Sequence, residues 1–238
     1  YLGPKSDSIN EEVIDDLLYK RGPDAKGIVR NNNEYIHHRR LSIIDLDSRS
    51  NQPMEREGIK IVFNGEIYNF LELRNELTEF NFVTRSDTEV IIAAYLEWGL
   101  ECFEKFKGMF SIVIIDNIKD EIIICRDHLG VKPLFYYLNK GNEFIASSDL
   151  RCFEECLSRR IDCSLVGSVS LFYDGYTLQN HTILENIFSL EPASYIRFRK
   201  NEFSLIEKTN YWSLPSFITP KENHIDILSP KLWRRCCF

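Results

Sequence analysis

The chain has 238 residues, of which 44% are hydrophobic and 27% charged, which suits one domain with a substantial core. Its formal net charge of -7 argues against a nucleic-acid partner, because phosphate backbones are held by clustered Lys and Arg. No apolar run approaches the ~18 residues that a membrane span needs. The seven irregularly spaced cysteines favour reduced thiols in a cytoplasmic protein over a disulfide framework.

The first predicted element is a helix in the stretch SDSINEEVIDDLLYKRGPD, residues 6–24. Ser8 and Glu11 have the spacing of a capping box, and Gly22 and Pro23 end the pattern. An apolar stripe at helical spacing comprises Ile9, Val13, Ile14, Leu17 and Leu18. We interpret this helix as a packing element.

Two strands and two further helices are predicted in the next part of the chain. The strands fall at residues 35–45 and 59–65, with a polar, turn-rich connection between them. Asn69 and Ser86 each stand three positions before a glutamate and predict helix starts, and Gly99 ends the second helix. The apolar stripes comprise Phe70, Leu73, Leu77 and Phe80 in the first helix, and Val90, Ile91, Ala94 and Leu96 in the second.

The second half of the chain is predicted to consist mainly of antiparallel strands joined by tight turns. Strands are expected at 109–116, 121–127, 131–138, 143–148, 182–190 and 193–200, with a short helix at 150–157. Helices and strands that occur in blocks indicate an α+β fold with sheets covered by helices. Periodicity fades from Ser213, so residues 213–238 are predicted to be a linker or the truncated start of another domain.

The segment KIVFNGEIYNF, residues 60–70, interrupts an apolar run with Asn64, Gly65 and Glu66. Such a break predicts that the strand stops there and that its polar residues face a ligand instead of a core. Taken alone, an Asn-Gly turn between two strands is the simpler interpretation. The companion motifs elsewhere in the chain favour the ligand.

Six short motifs occur together in one order along the chain. They are RGPD at 21–24, RRLSIID at 39–45, FNGEIYN at 63–69, SDTEV at 86–90, RDHLGVKPLFYY at 126–137 and FIASSDL at 144–150. In this order they resemble the glutaminase domain of glutamine-dependent asparagine synthetases, which are class II glutamine amidotransferases and N-terminal-nucleophile hydrolases. The resemblance implies a domain over residues 1–212 with two packed, mainly antiparallel β-sheets flanked by helices in an αββα arrangement.

The resemblance also implies catalytic donors for glutamine hydrolysis. In the family a cysteine thiolate attacks the side-chain amide of glutamine, with its own α-amine as base. Asn64 and Gly65 match the oxyanion hole, one through a side-chain amide and the other through a backbone N–H. Arg126, Asp127 and Lys132 match a segment near the route by which ammonia leaves, and two interpretations stay open for them: a buried charge network, or plain strand packing with a glycine-containing turn.

The glutamine contacts implied by the resemblance lie in three of the motifs. Arg40 matches the residue that holds the α-carboxylate, a task suited to a bidentate guanidinium. Asp87 matches the residue that binds the α-ammonium, and Glu66 a further contact at that end. Asn64 joins these contacts, and main-chain groups of three neighbours of Arg40 are expected to line the pocket: Ser42, Ile43 and Ile44.

The sequence departs from the family pattern at both ends. The family begins with a cysteine on a buried strand, whereas this chain starts at Tyr1 and has its first cysteine at Cys102, in a predicted helix. The chain as written is therefore expected to bind glutamine without hydrolysing it. It also carries no phosphate-binding loop. We expect no cofactor in this chain, and ATP and Mg in the synthetase domain that relatives carry in the same polypeptide.

Two other functions remain open at the level of sequence. A degenerate amidotransferase domain would act as a glutamine-binding or regulatory module. A sibling amidotransferase would feed ammonia to an acceptor other than aspartate, although the hexosamine and purine siblings carry a His where this chain has Phe63. The sequence leaves the oligomeric state open, with a homodimer among the options.

Overall fold

The structure is a computed structural model that describes residues 1–139, 142–178 and 180–214, so most of the predicted linker at 213–238 lies outside the described residues. The helices are α1 Glu11–Tyr19, α2 Phe70–Glu76, α3 Asp87–Trp98, α4 Cys102–Lys105, α5 Cys152–Leu157 and α6 Leu165–Asp174. The strands are β1 Ala25–Asn31, β2 Glu34–Arg40, β3 Met54–Arg56, β4 Ile59–Ile67, β5 Gly108–Asp116, β6 Glu121–Arg126, β7 Phe135–Asn139, β8 Glu143–Ser147, β9 Phe188–Ser189, β10 Ser194–Arg199 and β11 Ser204–Asn210.

The first sheet has six antiparallel strands in the order β11-β10-β6-β5-β4-β3. Successive side chains of a strand point to opposite faces. Phe110, Ile112 and Ile114 of β5 therefore pack with helices α2, α3 and α4, while Val113 and Ile115 face the other sheet. Apolar residues cover both faces, so the sheet forms one inner layer of the molecule.

The second sheet contains the β1-β2 ribbon and the strands β8-β7-β9. Leu2 joins the two parts, because it forms antiparallel bridges with Glu34 of β2 on one side and with Phe144 of β8 on the other. Phe153 of α5 packs in a cluster on the outer face together with residues of α1, and Leu2 and Phe144 face the first sheet. The predicted arrangement of two packed sheets flanked by helices is confirmed.

No helix within the described ranges is both long and apolar enough to cross a membrane. Four of the predicted strands appear as β5 to β8, and the predicted cap of α3 is present because Ser86 Oγ accepts the N–H of Glu89. Gly99 ends that helix with φ +59°, a conformation that suits glycine.

Several predicted helix details are wrong. Helix α1 is capped by Asn10, whose side chain accepts the N–H groups of Glu12 and Val13; the capping-box spacing of Ser8 and Glu11 matched by coincidence. Helix α2 ends at Glu76, so Phe80 lies beyond it. The side chain of Asn69 does not cap α2, because it bonds Lys105 and Lys107 instead.

The structure corrects several other predicted elements. Strand β4 does not end at Gly65, as predicted, but continues to Ile67, paired with β5 throughout. The segment 182–190 is mostly irregular and contributes only the two residues of β9, while α6 and β11 were not predicted. Strand β11 gives little periodic signal because its sequence, SLIEKTN, does not alternate between apolar and polar residues.

Of the two interpretations of Arg126, Asp127 and Lys132, the charge network is wrong, and the glycine-containing turn is present at Gly130. Arg126 donates to the carbonyl oxygens of Gly130, Lys132 and Leu190, and Asp127 accepts N–H groups from Phe110, Leu129, Val131 and Lys132. Each charge is thus satisfied by main-chain partners, and the pair fixes the turn after β6.

Candidate active site

A cavity of about 330 Å³ opens between the two sheets. Seven of the eight predicted site residues line it, and five of these lie in helices or strands: Arg40, Asn64, Gly65, Glu66 and Asp87. They come from the end of β2, the last part of β4 and the first turn of α3. Residues that are up to about fifty positions apart in sequence thus meet on one concave surface.

Asn64 lines this cavity and carries an unused hydrogen-bond donor. It pairs with Ser111 across β4 and β5, and both residues line the cavity. The Asn64 Nδ2 atom is buried and has no hydrogen-bond partner within the part of the chain that the structure describes. Buried polar groups in folded proteins are almost always paired. An unpaired amide that faces a cavity is therefore suited to a ligand oxygen.

Gly65 is required at its position by the close approach of β5. Its φ is +150°, and a Cβ built there would lie 2.0 Å from the carbonyl oxygen of Met109. Only glycine allows β4 to continue past this point in register with β5. The Asn-Gly pair that suggested a turn is thus a feature of an unbroken strand.

The outer edge of β4 carries three amide N–H groups at alternate residues. The first, of Phe63, donates to Gln52 Oε1 at 2.6 Å, and the third, of Ile67, donates to Asp87 Oδ2 at 3.1 Å. Alternation puts the N–H of Gly65 between them on the same edge. Its two neighbours on that edge are therefore held by Gln52 and Asp87.

Asp87 is a buried carboxylate in the first turn of α3. Its pKa is raised to about 6, chiefly by burial and also by the negative charge of Glu66, while backbone N–H groups of Ile67 and Thr88 act in the opposite direction. Neither Asp87 nor Glu66 forms an ion pair within the described residues. The cavity wall therefore carries two uncompensated negative groups.

Arg40 is a buried cation that has only neutral partners. Its terminal nitrogens donate to Asn51 Oδ1 at 2.8 Å and to the carbonyl oxygens of Ile44, Asp45 and Asp47. Over residues 1–139, 142–178 and 180–214, no carboxylate lies within ion-pairing distance of it. These four acceptors use all the terminal N–H groups, so what remains available to an anionic ligand is the uncompensated positive charge.

The three predicted neighbours of Arg40 differ in position. Ile43 and Ile44 line the cavity, and the carbonyl of Ile44 accepts from Arg40. Ser42 does not line it; its backbone N–H donates to Asp24 Oδ2 at 2.7 Å. Ser42 therefore anchors the RGPD segment to the loop that follows β2.

Several cavity residues were not predicted. Tyr1, Leu2, Gln52 and Ser111 line the cavity, as does Lys132, for which another role was expected. Gln52 stands in a polar loop segment that looks like an ordinary connection in the sequence, so only tertiary contacts reveal it. The described cysteines are free thiols, four of them buried, and none lines the cavity.

Comparison with known protein families identifies the class of protein to which the chain belongs. The model of the glutamine amidotransferase domain matches residues 3–212. The chain therefore belongs to the glutamine amidotransferase family. In fold, it resembles glutamine phosphoribosylpyrophosphate (PRPP) amidotransferase from B. subtilis complexed with ADP and GMP, with a TM-score of 0.53 at 18% identity over 78% of this chain and 36% of that one.

Individual relatives show which members of this family the chain resembles. A glutamine-hydrolysing asparagine synthetase homologue of Methanocaldococcus jannaschii is 35% identical over 88% of this chain and 45% of its own length. Amidase chry2 of Gibberella zeae is 33% identical over 84% of this chain and 29% of its own length. The chain thus resembles the glutamine-hydrolysing domains of asparagine synthetases, and it spans less than half the length of these relatives.

Proposed function

We propose that the cavity binds L-glutamine and delivers its side-chain amide to a cysteine nucleophile, as the glutaminase part of an asparagine synthetase. The observation that carries this proposal is the buried, unpaired Nδ2 of Asn64 in a cavity that also holds an uncompensated cation and uncompensated carboxylates. A zwitterionic amino acid with a neutral amide complements all three features.

In this proposal each part of glutamine has its own partner. The α-carboxylate pairs with Arg40, and the α-ammonium pairs with Asp87 and Glu66. The amide oxygen accepts from Asn64 Nδ2 and from the N–H of Gly65. These two donors stabilise the negative charge that develops on that oxygen during attack, and losing one such donor typically costs about 2.7–4 kcal/mol in the transition state.

We further propose that the nucleophile is the terminal cysteine of a segment that precedes Tyr1. Leu2 already pairs with β2 and β8, and beyond Tyr1 the cavity lies along both strands. If the register that pairs Leu2 with Glu34 continues, the fifth residue before Tyr1 comes opposite Arg40. Its side chain would face the first sheet, as that of Leu2 does, because side chains alternate along a strand.

The reaction follows from these roles. The terminal α-amine takes the proton of the cysteine thiol, and the resulting thiolate attacks the amide carbon of glutamine. The α-ammonium then gives that proton to the leaving nitrogen, and ammonia departs to leave a thioester. Water then cleaves the thioester to glutamate and restores the thiol. An α-amine has an unperturbed pKa near 7.7, which suits it to act as a base at neutral pH.

The use of the ammonia is part of the same proposal. By resemblance to the asparagine synthetases, a synthetase domain in the same polypeptide would use ATP and Mg to activate aspartate for amidation. Buried free thiols support a reducing, cytoplasmic setting. The amidase relative supports a second candidate, in which the same glutaminase chemistry serves a different acceptor.

Isothermal titration of the 238-residue chain with L-glutamine tests the binding proposal, with D-glutamine as the matched control. We expect saturable binding of the L form, and equal or absent heats for both would refute the proposal. An ammonia assay on the protein translated from the upstream-extended coding sequence tests the reaction. Turnover there excludes a degenerate, binding-only domain, and binding without turnover would favour it.

A further inference from the structure

Gln52 connects the two elements that carry the opposite ends of the proposed glutamine site. Its Oε1 accepts the N–H of Phe63 on β4 at 2.6 Å, and its Nε2 donates to Thr88 Oγ1 on α3 at 3.2 Å. Gln52 is buried, with 7% of its surface exposed, and it lines the cavity. Both functional ends of one carboxamide are thus used to join β4 to α3.

The two residues that Gln52 bonds are chain neighbours of the proposed glutamine partners. Phe63 directly precedes Asn64, and its amide lies on the same edge of β4 as that of Gly65. Thr88 directly follows Asp87, and its backbone N–H lowers the pKa of the Asp87 carboxyl. A shift of either element relative to the other changes the distance between the amide-binding donors and the ammonium-binding carboxylate.

The main chain at Gln52 is itself held in place. A Cβ built on Gly27 of β1 would lie 1.9 Å from the carbonyl oxygen of Gln52, so β1 packs directly against this peptide. The preceding residue, Asn51, accepts from Arg40 at 2.8 Å. Asn51 therefore contacts Arg40 directly, and Gln52 contacts the residues that adjoin Asn64 and Asp87.

We propose that Gln52 is a positioning residue that sets the spacing between the oxyanion donors on β4 and the Asp87 carboxylate on α3. This inference rests on the proposed glutamine site. Gln52 acts only through the N–H of Phe63 and the hydroxyl of Thr88. It therefore determines which length of amino acid spans the cavity.

Thr88→Val tests the helix side of this link, since it keeps the shape of the side chain and removes the acceptor for Gln52. The probes are L-glutamine and 4-carbamoylbutanoate, which is glutamine without its α-amine. We expect the Kd for L-glutamine to rise about tenfold, the equivalent of one lost hydrogen bond. The Kd for 4-carbamoylbutanoate should stay within about twofold, because that probe makes no contact with Asp87.

Gln52→Met tests both sides, since it fills the same space without hydrogen-bonding groups. We expect weaker binding of both probes, and the double variant with Thr88→Val should bind no more weakly than Gln52→Met alone. Thr209→Val, on β11, is the matched control and should change neither Kd. If Gln52→Met does not fold, the two-probe comparison on Thr88→Val decides the question.

Three outcomes separate this inference from the proposed function. A wild-type chain that binds neither probe overturns both. A wild-type chain that binds both, with Thr88→Val unchanged toward both, overturns the role of Gln52 alone. The same holds if Thr88→Val weakens both probes equally, since that is the signature of a general loss of structure.

Discussion

Replacing Asp87 by Asn should stabilise the fold and weaken glutamine binding at the same time. The Asn side chain can still accept the N–H of Ile67, which Asp87 Oδ2 accepts in the wild type. What it loses is the negative charge. That charge is unfavourable in the empty protein, because Asp87 is buried and faces Glu66, and it is needed once an ammonium group binds.

The magnitude follows from the pKa of Asp87, which burial raises from 3.8 to about 6. A carboxyl whose folded pKa exceeds its unfolded value binds protons more tightly in the folded state. The free energy of unfolding therefore falls as pH rises from about 4 to about 6, and it stays lower above that range. A shift of two pKa units means that the charged carboxylate lowers the free energy of unfolding by about 3 kcal/mol, which Asn would restore. Asn also loses the favourable interaction of a first-turn acid with the helix dipole, which offsets about 0.5 kcal/mol of that gain.

At pH 7.5 we therefore expect Asp87→Asn to raise the free energy of unfolding by about 2 kcal/mol, or Tm by roughly 4–8 °C for a chain of this size. At pH 4 the gain should disappear. The same variant should raise the Kd for L-glutamine at least about 100-fold, because breaking a buried ion pair costs about 3–5 kcal/mol. Wild-type affinity should itself fall as pH drops through about 6.

Thermal melts at pH 4 and 7.5 and calorimetric titration at pH 7.5 measure both effects on the same samples. Asp162→Asn, at an exposed position, is the matched control and should change neither quantity. Unchanged glutamine affinity in Asp87→Asn would refute the assignment of the ammonium site. Unchanged stability at pH 7.5 would refute the argument from burial.

Three further substitutions test the other walls of the cavity. Gly65→Ala should lower the free energy of unfolding by roughly 2–4 kcal/mol in urea titration, because its Cβ would meet Met109. Gly99→Ala is the control: a Cβ there would meet nothing within 4 Å, so the loss should be about 1 kcal/mol. Equal losses in the two variants would contradict the steric argument. Arg40→Gln should raise the Kd for L-glutamine at least about tenfold and leave the contacts of the glutamine side-chain amide unchanged. A Kd within twofold of the wild-type value would contradict the role of Arg40 in binding the α-carboxylate. Asn64→Ala, in the protein from the upstream-extended coding sequence, should lower kcat about 100- to 1000-fold with little change in KM; a loss confined to KM would contradict the oxyanion role.

Elements with strong local signals could be predicted from the sequence. Ser86 and Gly99 mark both ends of α3 through contacts within a few residues of each end, and they lie where predicted. The nearly continuous apolar run of β5 also fits the structure, since both faces of this strand meet apolar layers. Each of these features depends on residues that are close in sequence.

Features that depend on distant contacts could not be predicted in the same way. The Asn-Gly pair at 64–65 gives the local signal of a turn, and only the proximity of Met109 shows that the glycine preserves a continuous strand. Gln52 gives no signal at all, because its partners lie 11 and 36 residues away. The motifs identified the cavity residues by resemblance, whereas their burial and missing partners are properties of the three-dimensional structure.

The most direct test of the account is a crystal structure of the chain with L-glutamine bound. We expect one molecule in the cavity, with its amide oxygen about 3 Å from Asn64 Nδ2 and from the Gly65 nitrogen. Its α-carboxylate should contact Arg40 and its α-ammonium Asp87. Glutamine bound outside the cavity, or inside it with the amide turned away from Asn64, would contradict the central claim.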